Sequence, residues 1–322
     1  MSARALRVGT RGSALALWQT ERIRELLTAA GHPTERVEIR TTGDLVQDVP
    51  LARIGSVALF TRQIDEAMLA GRIDLAVHSL KDLPTELPRG IAIAAIGERD
   101  DPSDALVGRG PVRWGDLSRG ATVATSSLRR RAQALHARPD LQITDVRGNV
   151  DTRLAKLDRE QGWVAILLAA AGLLRLGQGH RIGERVPPEV MLPAPGQGAL
   201  AVTARADDSA AIAMARAAVH HEPSALAVGA ERGFLRRLEG GCQVPVAAHA
   251  TLDPGGRELR LHGRVLSLGG DRVAQGRVSG PARSPEEAEA LGVGLAERLL
   301  AEGAAAILAD VRASVSPVVS EP

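Results

Sequence analysis

A strand, a polar turn and a helix follow one another from the first residues of this chain, and the order then repeats. Leu6 to Thr10 reads as a strand, and Leu15, Trp18, Ile23, Leu26 and Leu27 recur at helical spacing until Gly31 stops the run. Val37-Glu38-Ile39 alternates as a strand; Phe60, Ile64, Ala67 and Met68 mark a second helix; Ile73 to Val77 and Ile91 to Ile96 are further strands. The charged turn Glu98-Arg99-Asp100-Asp101-Pro102 breaks the pattern. It restarts with strands near Thr122 to Thr125, Leu141 to Thr144 and Trp163 to Leu168, separated by helices at Leu128 to Ala137 and Val150 to Leu157. Such an alternation predicts α/β layers, with helices covering largely parallel sheets. Proline and glycine around Val186-Pro187-Pro188 and Leu192 to Gly196 mark a connection, after which Ala199 to Ala204 is one more strand. Two similar lobes joined by crossing segments predict a cleft between them.

The last third changes character. A helix from Ser224 to Leu238 precedes strand-like runs at Val246 to Leu252, Glu258 to Leu266 and Arg272 to Val278, and a closing helix follows. Its start is Ser284-Pro285-Glu286-Glu287, in which serine caps, proline takes the first helical position and Glu287 completes a capping box. This predicts a small α+β third domain, with a frayed tail after Ala313.

Composition excludes several classes. At 322 residues, with 44% hydrophobic and 24% charged residues, the chain has the balance of a globular protein of two or three domains. The longest apolar run, Trp163 to Leu174, is too short to span a bilayer, and the N-terminus has no charged-then-apolar leader, so a cytoplasmic protein is expected. The single cysteine, Cys242, rules out an internal disulfide and any Cys-rich metal site. Aromatic residues are 2% of the chain, which leaves no stacking platform for single-stranded nucleic acid. No phosphate loop and no dinucleotide fingerprint is present, and none of the eight histidines forms a His-Glu-x-x-His pair. His220 and His221 are adjacent at a helix or its end and cannot share one metal, so no metal site is expected.

What remains is arginine at strand-to-helix junctions. Thr10-Arg11-Gly12-Ser13 follows the first strand, Thr125-Ser126-Ser127-Leu128-Arg129-Arg130 opens a helix, and Arg147-Gly148-Asn149 follows another strand, with Arg153 a helical turn on. Helix N-termini offer free N–H groups and guanidinium forks grip carboxylates, so such a cleft suits a polyanionic ligand. One arginine alone would be an ordinary surface residue; three equivalent junctions are not. Asp82, in His78-Ser79-Leu80-Lys81-Asp82-Leu83-Pro84, lies at the carboxyl end of a strand, where open α/β sheets place ligands. The same stretch also has the composition of a surface turn. Cys242 stands on a glycine-flanked loop; a lone cysteine is usually a small buried hydrophobe, but this setting favours a usable thiol.

Val8-Gly9-Thr10-Arg11, Gly43-Asp44, Ala76 to Asp82, Thr125 to Arg130, Arg147-Gly148-Asn149, Leu192-Pro193-Ala194-Pro195-Gly196-Gln197-Gly198 and Glu239-Gly240-Gly241-Cys242-Gln243-Val244-Pro245 together closely resemble the porphobilinogen deaminase family, the hydroxymethylbilane synthases. The match runs in order from about Arg7 to about Ala309. The resemblance implies two lobes of the type II periplasmic-binding-protein kind around a cleft, plus a small α+β C-terminal domain. The implied division is 1–98 with 195–217, then 99–194, then 218–313, with 314–322 as tail. It implies a transferase of porphyrin, haem and other tetrapyrrole biosynthesis. Such an enzyme joins four porphobilinogen molecules head to tail, with loss of ammonia, onto a covalent dipyrromethane primer, then releases hydroxymethylbilane by hydrolysis.

On that resemblance Cys242 holds the primer, and Lys81, Asp82, Thr125, Ser127, Arg129, Arg130, Arg147 and Gly148 surround it. Arg11, Ser13, Ser126, Arg147, Arg153 and Arg175 meet the substrate. Asp82 is the catalytic carboxylate, placed beside the pyrrole nitrogen of the azafulvene that loss of ammonia generates. The expected partner is porphobilinogen alone, with no nucleic acid or membrane, and the expected state is a monomer. One stretch departs from the family: Gly55-Ser56-Val57-Ala58-Leu59-Phe60 lacks the lysine common before Leu-Phe, which puts in doubt a charge contact from that loop. Two other classes compete on residues alone. A solute-binding module also has two lobes but needs neither Cys242 nor Asp82. A hydrolase would use Cys242 as nucleophile with His249 or His262 as base, in a spacing that resembles no known constellation.

Overall fold

The computed structural model describes residues 4–41, 61–238, 244–256 and 258–315. Gly43-Asp44, the stretch from Gly55 to Phe60, Cys242 with Gly240, Gly241 and Gln243, and the tail from residue 316 lie outside the described residues.

The first lobe begins with β1 (Leu6–Thr10), α1 (Ala14–Ala29), β2 (Thr34–Glu38), α2 (Arg62–Leu69), β3 (Leu75–Ser79) and β4 (Ile91–Ile96). The chain crosses to a second lobe of β5 (Asp104–Gly108), β6 (Thr122–Ala124), α3 (Leu128–Ala137), β7 (Gln142–Thr144), α4 (Val150–Arg159), β8 (Ala165–Ala169), α5 (Ala170–Arg175) and β9 (Glu184–Val186). It then returns to the first with β10 (Leu200–Arg205) and α6 (Ser209–Val219). The third unit follows: α7 (Glu222–Arg237), β11 (Val246–Leu252), β12 (Glu258–Leu266), β13 (Val273–Pro281), α8 (Pro285–Leu299) and α9 (Ala305–Val315).

The two lobes share one plan. Their sheets run β2-β1-β3-β10-β4 and β7-β6-β8-β5-β9. In each, the strand made immediately after a crossing, β10 or β5, is inserted antiparallel between two neighbours, while β1 with β2 and β3, and β6 with β7 and β8, pair in parallel. The sheets are therefore largely parallel, as expected, with one inserted strand apiece. A strand arriving from the other lobe is free of the βαβ crossover that forces neighbours to be parallel. β5, β9, α5 and α6 went unread in the sequence, being short or lacking an alternating pattern.

Burial follows the pattern of sheets covered on both faces. On β5 and β8, Leu106, Ala165 and Leu167 enter one apolar cluster, while Ala105, Val107, Ile166 and Leu168 enter another. α1 starts where the Ser13 hydroxyl accepts the N–H of Ala16, and it buries Ile23 and Leu27 against the first sheet. His220 and His221 fall in the turn between α6 and α7.

In the third unit α7 and α8 cover one face of the sheet β11-β12-β13, around Phe234, Leu261 and Leu295. The two helices pack so closely that a Cβ at Gly292 would lie 2.0 Å from the carbonyl oxygen of Ala230. Ser284 caps α8 by accepting from Glu287 N, but the Glu287 carboxylate accepts from Arg283 N instead of completing the expected box on Ser284. The closing helix is broken by a π-turn at Leu300–Ala304, where Gly303 has φ 115°, and α9 continues to Val315. Among the described residues no helix is long and apolar enough to cross a membrane.

Candidate active site

β1 and β3 in the first lobe, and β6, β7 and β8 in the second, end at the edges where the arginine-bearing turns lie. After β1, Arg11 is half-buried and Ser13 is occupied as the cap of α1. After β3, a single 3-10 turn, Leu80–Asp82, buries Leu80, half-buries Lys81 and exposes Asp82.

The turns of the second lobe are stitched by hydroxyls. Thr125 Oγ1 accepts from Ser127 N at 3.2 Å, and Ser127 Oγ caps α3 by accepting from Arg130 N at 3.4 Å. Both hydroxyls keep their own proton to donate. Ser126 instead donates to the carbonyl of Val146 at 2.9 Å and accepts from its N–H at 3.1 Å, which ties the turn after β6 to the turn after β7. Gly148 has φ 111°, and a Cβ there would lie 2.5 Å from Thr152 Cγ2, so this bend requires glycine. Asn149 caps α4, and Arg153 Nε donates to the carbonyl of Gly148 at 2.8 Å. The half-buried guanidinium of Arg147 makes no hydrogen bond or ion pair among the described residues.

Arg129 and Arg130 are buried, and their partner is a carboxylate of the protein itself. Asp104, fully buried at the start of β5, accepts from Arg129 Nη1 at 2.6 Å and Nη2 at 3.1 Å, and from Arg130 Nε at 2.8 Å. Arg129 also donates to the carbonyl of Leu192 at 2.6 Å, and Arg130 to that of Leu167 at 3.0 Å. Burial would raise the Asp104 pKa, but the two guanidinium charges and the bonds from Arg129 and Gln197 hold it well below the carboxylate range. Gln197, on the segment returning to β10, donates to Asp104 Oδ1 at 3.0 Å and to the carbonyl of Pro102 at 2.7 Å. Its own Oε1 accepts from Lys81 Nζ at 3.2 Å. One network thus joins the first lobe, the crossing segments and the second lobe.

The charges converge across the lobes. Burial lowers the Lys81 pKa to about 8, with Arg130 and Arg129 acting in the same direction and Asp82 and Asp104 against it. Burial lowers Arg153 to about 10, helped by Arg130 and Arg147 and opposed by Asp82. Asp82 of the first lobe therefore faces cations of the second. Arg11 acts elsewhere: it adds to the burial that brings His78 down to about 4, and His78 Nε2 lies 3.1 Å from Thr203 Oγ1.

Arg175 is placed at the crossing segments. It is buried, donates to Asp100 Oδ2 at 2.9 Å and to the carbonyl of Gly198 at 2.7 Å, and lies 5.8 Å over the Trp18 ring. It ties both connections to α1 of the first lobe. Asp100, in the charged turn, and Gln197, in one of the family's motifs, give no sign in the sequence of the partners they hold, and Asp104 lies in neither. A signal existed for Asp104, because a charge placed directly before the apolar run Ala105-Leu106-Val107 enters a buried strand and must be paired.

Cations therefore outnumber carboxylates here, and the remaining donors are hydroxyls. This donor set fits a ligand that carries several carboxylates, as a dipyrromethane with acetate and propionate arms does. The family model described as the dipyromethane cofactor binding domain of porphobilinogen deaminase matches residues 6–213, and that of its C-terminal domain matches 225–301. The chain belongs to the porphobilinogen deaminase family. A porphobilinogen deaminase of Geobacter metallireducens is 49% identical over 313 residues, 97% of this chain and 96% of the relative. Another, of Desulforudis audaxviator, is 52% identical over 309 residues, 95% of this chain and 97% of the relative. Among solved structures, the methionine binding protein MetQ aligns with 66% of this chain and 89% of its own, at 12% identity and a TM-score of 0.41. The family's activity is that of hydroxymethylbilane synthase in tetrapyrrole biosynthesis, and its cofactor is dipyrromethane.

Replacing Asp104 by Asn leaves two buried guanidinium groups without their counter-charge. We expect a loss of about 3–5 kcal/mol in urea unfolding at neutral pH. Because the folded Asp104 pKa is depressed, its contribution is complete at neutral pH and fades as pH falls below about 4 in the wild type. The wild-type and Asp104→Asn stabilities should accordingly converge in acid.

Proposed function

We propose that this chain condenses porphobilinogen head to tail, with loss of ammonia, onto dipyrromethane carried by Cys242, and releases hydroxymethylbilane by hydrolysis. The observation that carries the assignment of Asp82 is its place on the turn after β3, exposed, with its charge acting on Lys81, Arg130 and Arg153. Departure of ammonia from the aminomethyl group leaves positive charge spread to the substrate's pyrrole nitrogen. A carboxylate fixed beside that nitrogen stabilises the charge and takes up the N–H proton when bonding requires it.

Dipyrromethane, when bound, supplies the nucleophilic pyrrole carbon to which the first substrate joins. On this reading Lys81, Asp82, Thr125, Ser127, Arg129, Arg130, Arg147 and Gly148 hold the primer. Arg11, Ser13, Ser126, Arg147, Arg153 and Arg175 receive or position the incoming carboxylates. The half-buried Arg147 and Arg153 offer charge at the cleft, Arg129 and Arg130 meet the primer from places fixed by Asp104, and Arg175 acts through the framework that it holds. Residues 1–98 with 195–217 form the first proposed domain, 99–194 the second and 218–313 the third. Both crossing segments, between β4 and β5 and between β9 and β10, support that division. We also propose a cytoplasmic protein with no nucleic-acid partner, supported by its single cysteine and its scarcity of aromatic residues, and, on the family resemblance alone, a monomer.

Three outcomes test the proposal. Asp82→Asn should retain the wild-type circular dichroism and melting temperature yet turn over porphobilinogen slower by about two or more orders of magnitude; near-normal turnover removes Asp82 from the chemistry. Cys242→Ala should be soluble and, in denaturing mass spectrometry, have the bare polypeptide mass, whereas the wild type carries two porphobilinogens less two ammonias. A wild type that gains no mass even after incubation with porphobilinogen would favour the solute-binding module. Finally, kcat/KM should fall as pH rises through about 8, where Lys81 loses its charge. Lys81→Arg should abolish that limb, and an unchanged limb would assign it to another group.

A further inference from the structure

The outer face of the third sheet meets the segment between β9 and β10 in a cavity of about 460 Å³. Antiparallel register places two rungs of polar side chains there. His249 on β11 stands opposite His262 on β12, which stands opposite Arg277 on β13; the next rung is Thr251, Arg260 and Ser279. The alternate residues of the same strands, Ala248, Ala250, Leu259 and Leu261 among them, enter the core on the other face, so this register is fixed by burial.

The charge on these rungs is not balanced from within. The guanidinium groups of Arg260 and Arg277 make no hydrogen bond or ion pair among the described residues, and both residues are exposed. The neighbouring rung shows the contrast. There Arg264 is buried and committed to Gln275 and Gln133 and to the carbonyls of Glu189 and Val190. His262 stands directly beside Arg277, so a proton on this imidazole is opposed by the guanidinium unless something negative lies between. Glu189 is the carboxylate among the lining residues and stands at the exposed rim. Glu231 acts on His249 from behind the sheet, but is itself buried and engaged by Arg99 and the N–H groups of Gly196 and Ala250.

We propose that this cavity is a binding site for a compact polyanion, a small molecule bearing phosphate or carboxylate groups, gripped by Arg260 and Arg277 with Thr251 and Ser279 as hydroxyl donors. Guanidinium forks supply paired N–H donors to such oxygens, and the walls of a concave site strengthen the attraction. The site is separate from the cleft, which is built at the strand ends of the two lobes. The two touch at Leu192, which lines the cavity while its carbonyl accepts from Arg129.

The imidazoles give the site a signature. Burial, then Arg264 and Arg277, bring His262 down to about 4, with the Gln275 hydrogen bond opposing and His249 adding to the fall. Burial lowers His249 too, with Glu231 opposing and Arg99 assisting. In the free protein both imidazoles are thus biased toward the neutral form. A bound polyanion favours the imidazolium, so binding takes up protons and tightens as pH falls, by up to about tenfold per pH unit for each proton taken up.

The test is histidine side-chain NMR of the full-length, cofactor-loaded protein, titrated separately with inorganic pyrophosphate and with citrate at neutral and mildly acidic pH. We expect saturable shifts of His249 and His262 with at least one probe, tighter in acid, while His32 and His180 stay still. The Arg260→Ser/Arg277→Ser double variant, changed only at exposed positions, should bind about tenfold or more weakly with its other histidine resonances in place. Response to pyrophosphate alone identifies a phosphate site, and response to citrate alone a carboxylate site. No saturable shift at His249 and His262 with either probe, or equal affinity in the double variant, overturns the proposal.

Discussion

Arg129 and Arg130 can lie side by side in the interior of the second lobe because Asp104 lies between them. Two guanidinium groups in so confined a volume repel one another strongly when water is excluded. A carboxylate that accepts from both converts that repulsion into a rigid unit, provided that its remaining lone pairs are also satisfied. Gln197 satisfies one, and through its other end it receives Lys81. The position of the lysine in the first lobe, the path of the returning segment and the orientation of α3 are therefore set by one buried acid.

A second buried acid fixes the third unit. Glu231 on α7 accepts from Arg99 and Gly196, one on each crossing segment, and from Ala250 on β11. Its neighbour Arg232 donates to the carbonyls of Pro84 and Thr85, in the loop that follows Asp82. The third unit thus grips the connections between the lobes and the backbone beyond the candidate catalytic turn. The chain that goes on toward Cys242 leaves α7 from Leu238, which is buried and held through its carbonyl by Arg312.

These two acids also mark the limit of what the sequence discloses. Periodicity exposes the βα alternation, the restart after Pro102 and the α+β end, because each depends on residues near one another in the chain. The junction arginines are legible for the same reason: strand, hydroxyl, guanidinium and helix follow in order. The partner of Arg129 stands 25 residues away and that of Glu231 stands 132 away, and no local pattern connects them. Arg175 shows the consequence. Read locally it is one more binding arginine, whereas its distant partners Asp100, Gly198 and Trp18 make it a clamp on the crossing segments. The antiparallel insertion of β5 and β10 is hidden for a related reason, even though the strand at Ala199 to Ala204 is legible, since nothing in an apolar run records its direction relative to a neighbour.

The division among the arginines has a chemical logic. A chain of pyrroles gains carboxylates with each addition, so the proposed cleft must meet a growing negative charge without losing its shape. Cations that are fixed by protein carboxylates and carbonyls cannot follow a moving ligand, but they hold a steady positive potential at no cost of reorganisation. Arg129 and Arg130 are of this kind. Arg147, which has no such partner, Arg153, held through Nε alone, and Lys81, held by one amide oxygen, keep donors available as the occupant changes. Long side chains lose rotamer entropy when they are immobilised, and the fixed pair has already lost it on folding. The adaptable groups lose it only as each carboxylate arrives, so their contacts are individually weaker and can be exchanged. A rigid electrostatic floor with looser walls lets successive chain lengths share one cleft and the proposed catalytic carboxylate, Asp82.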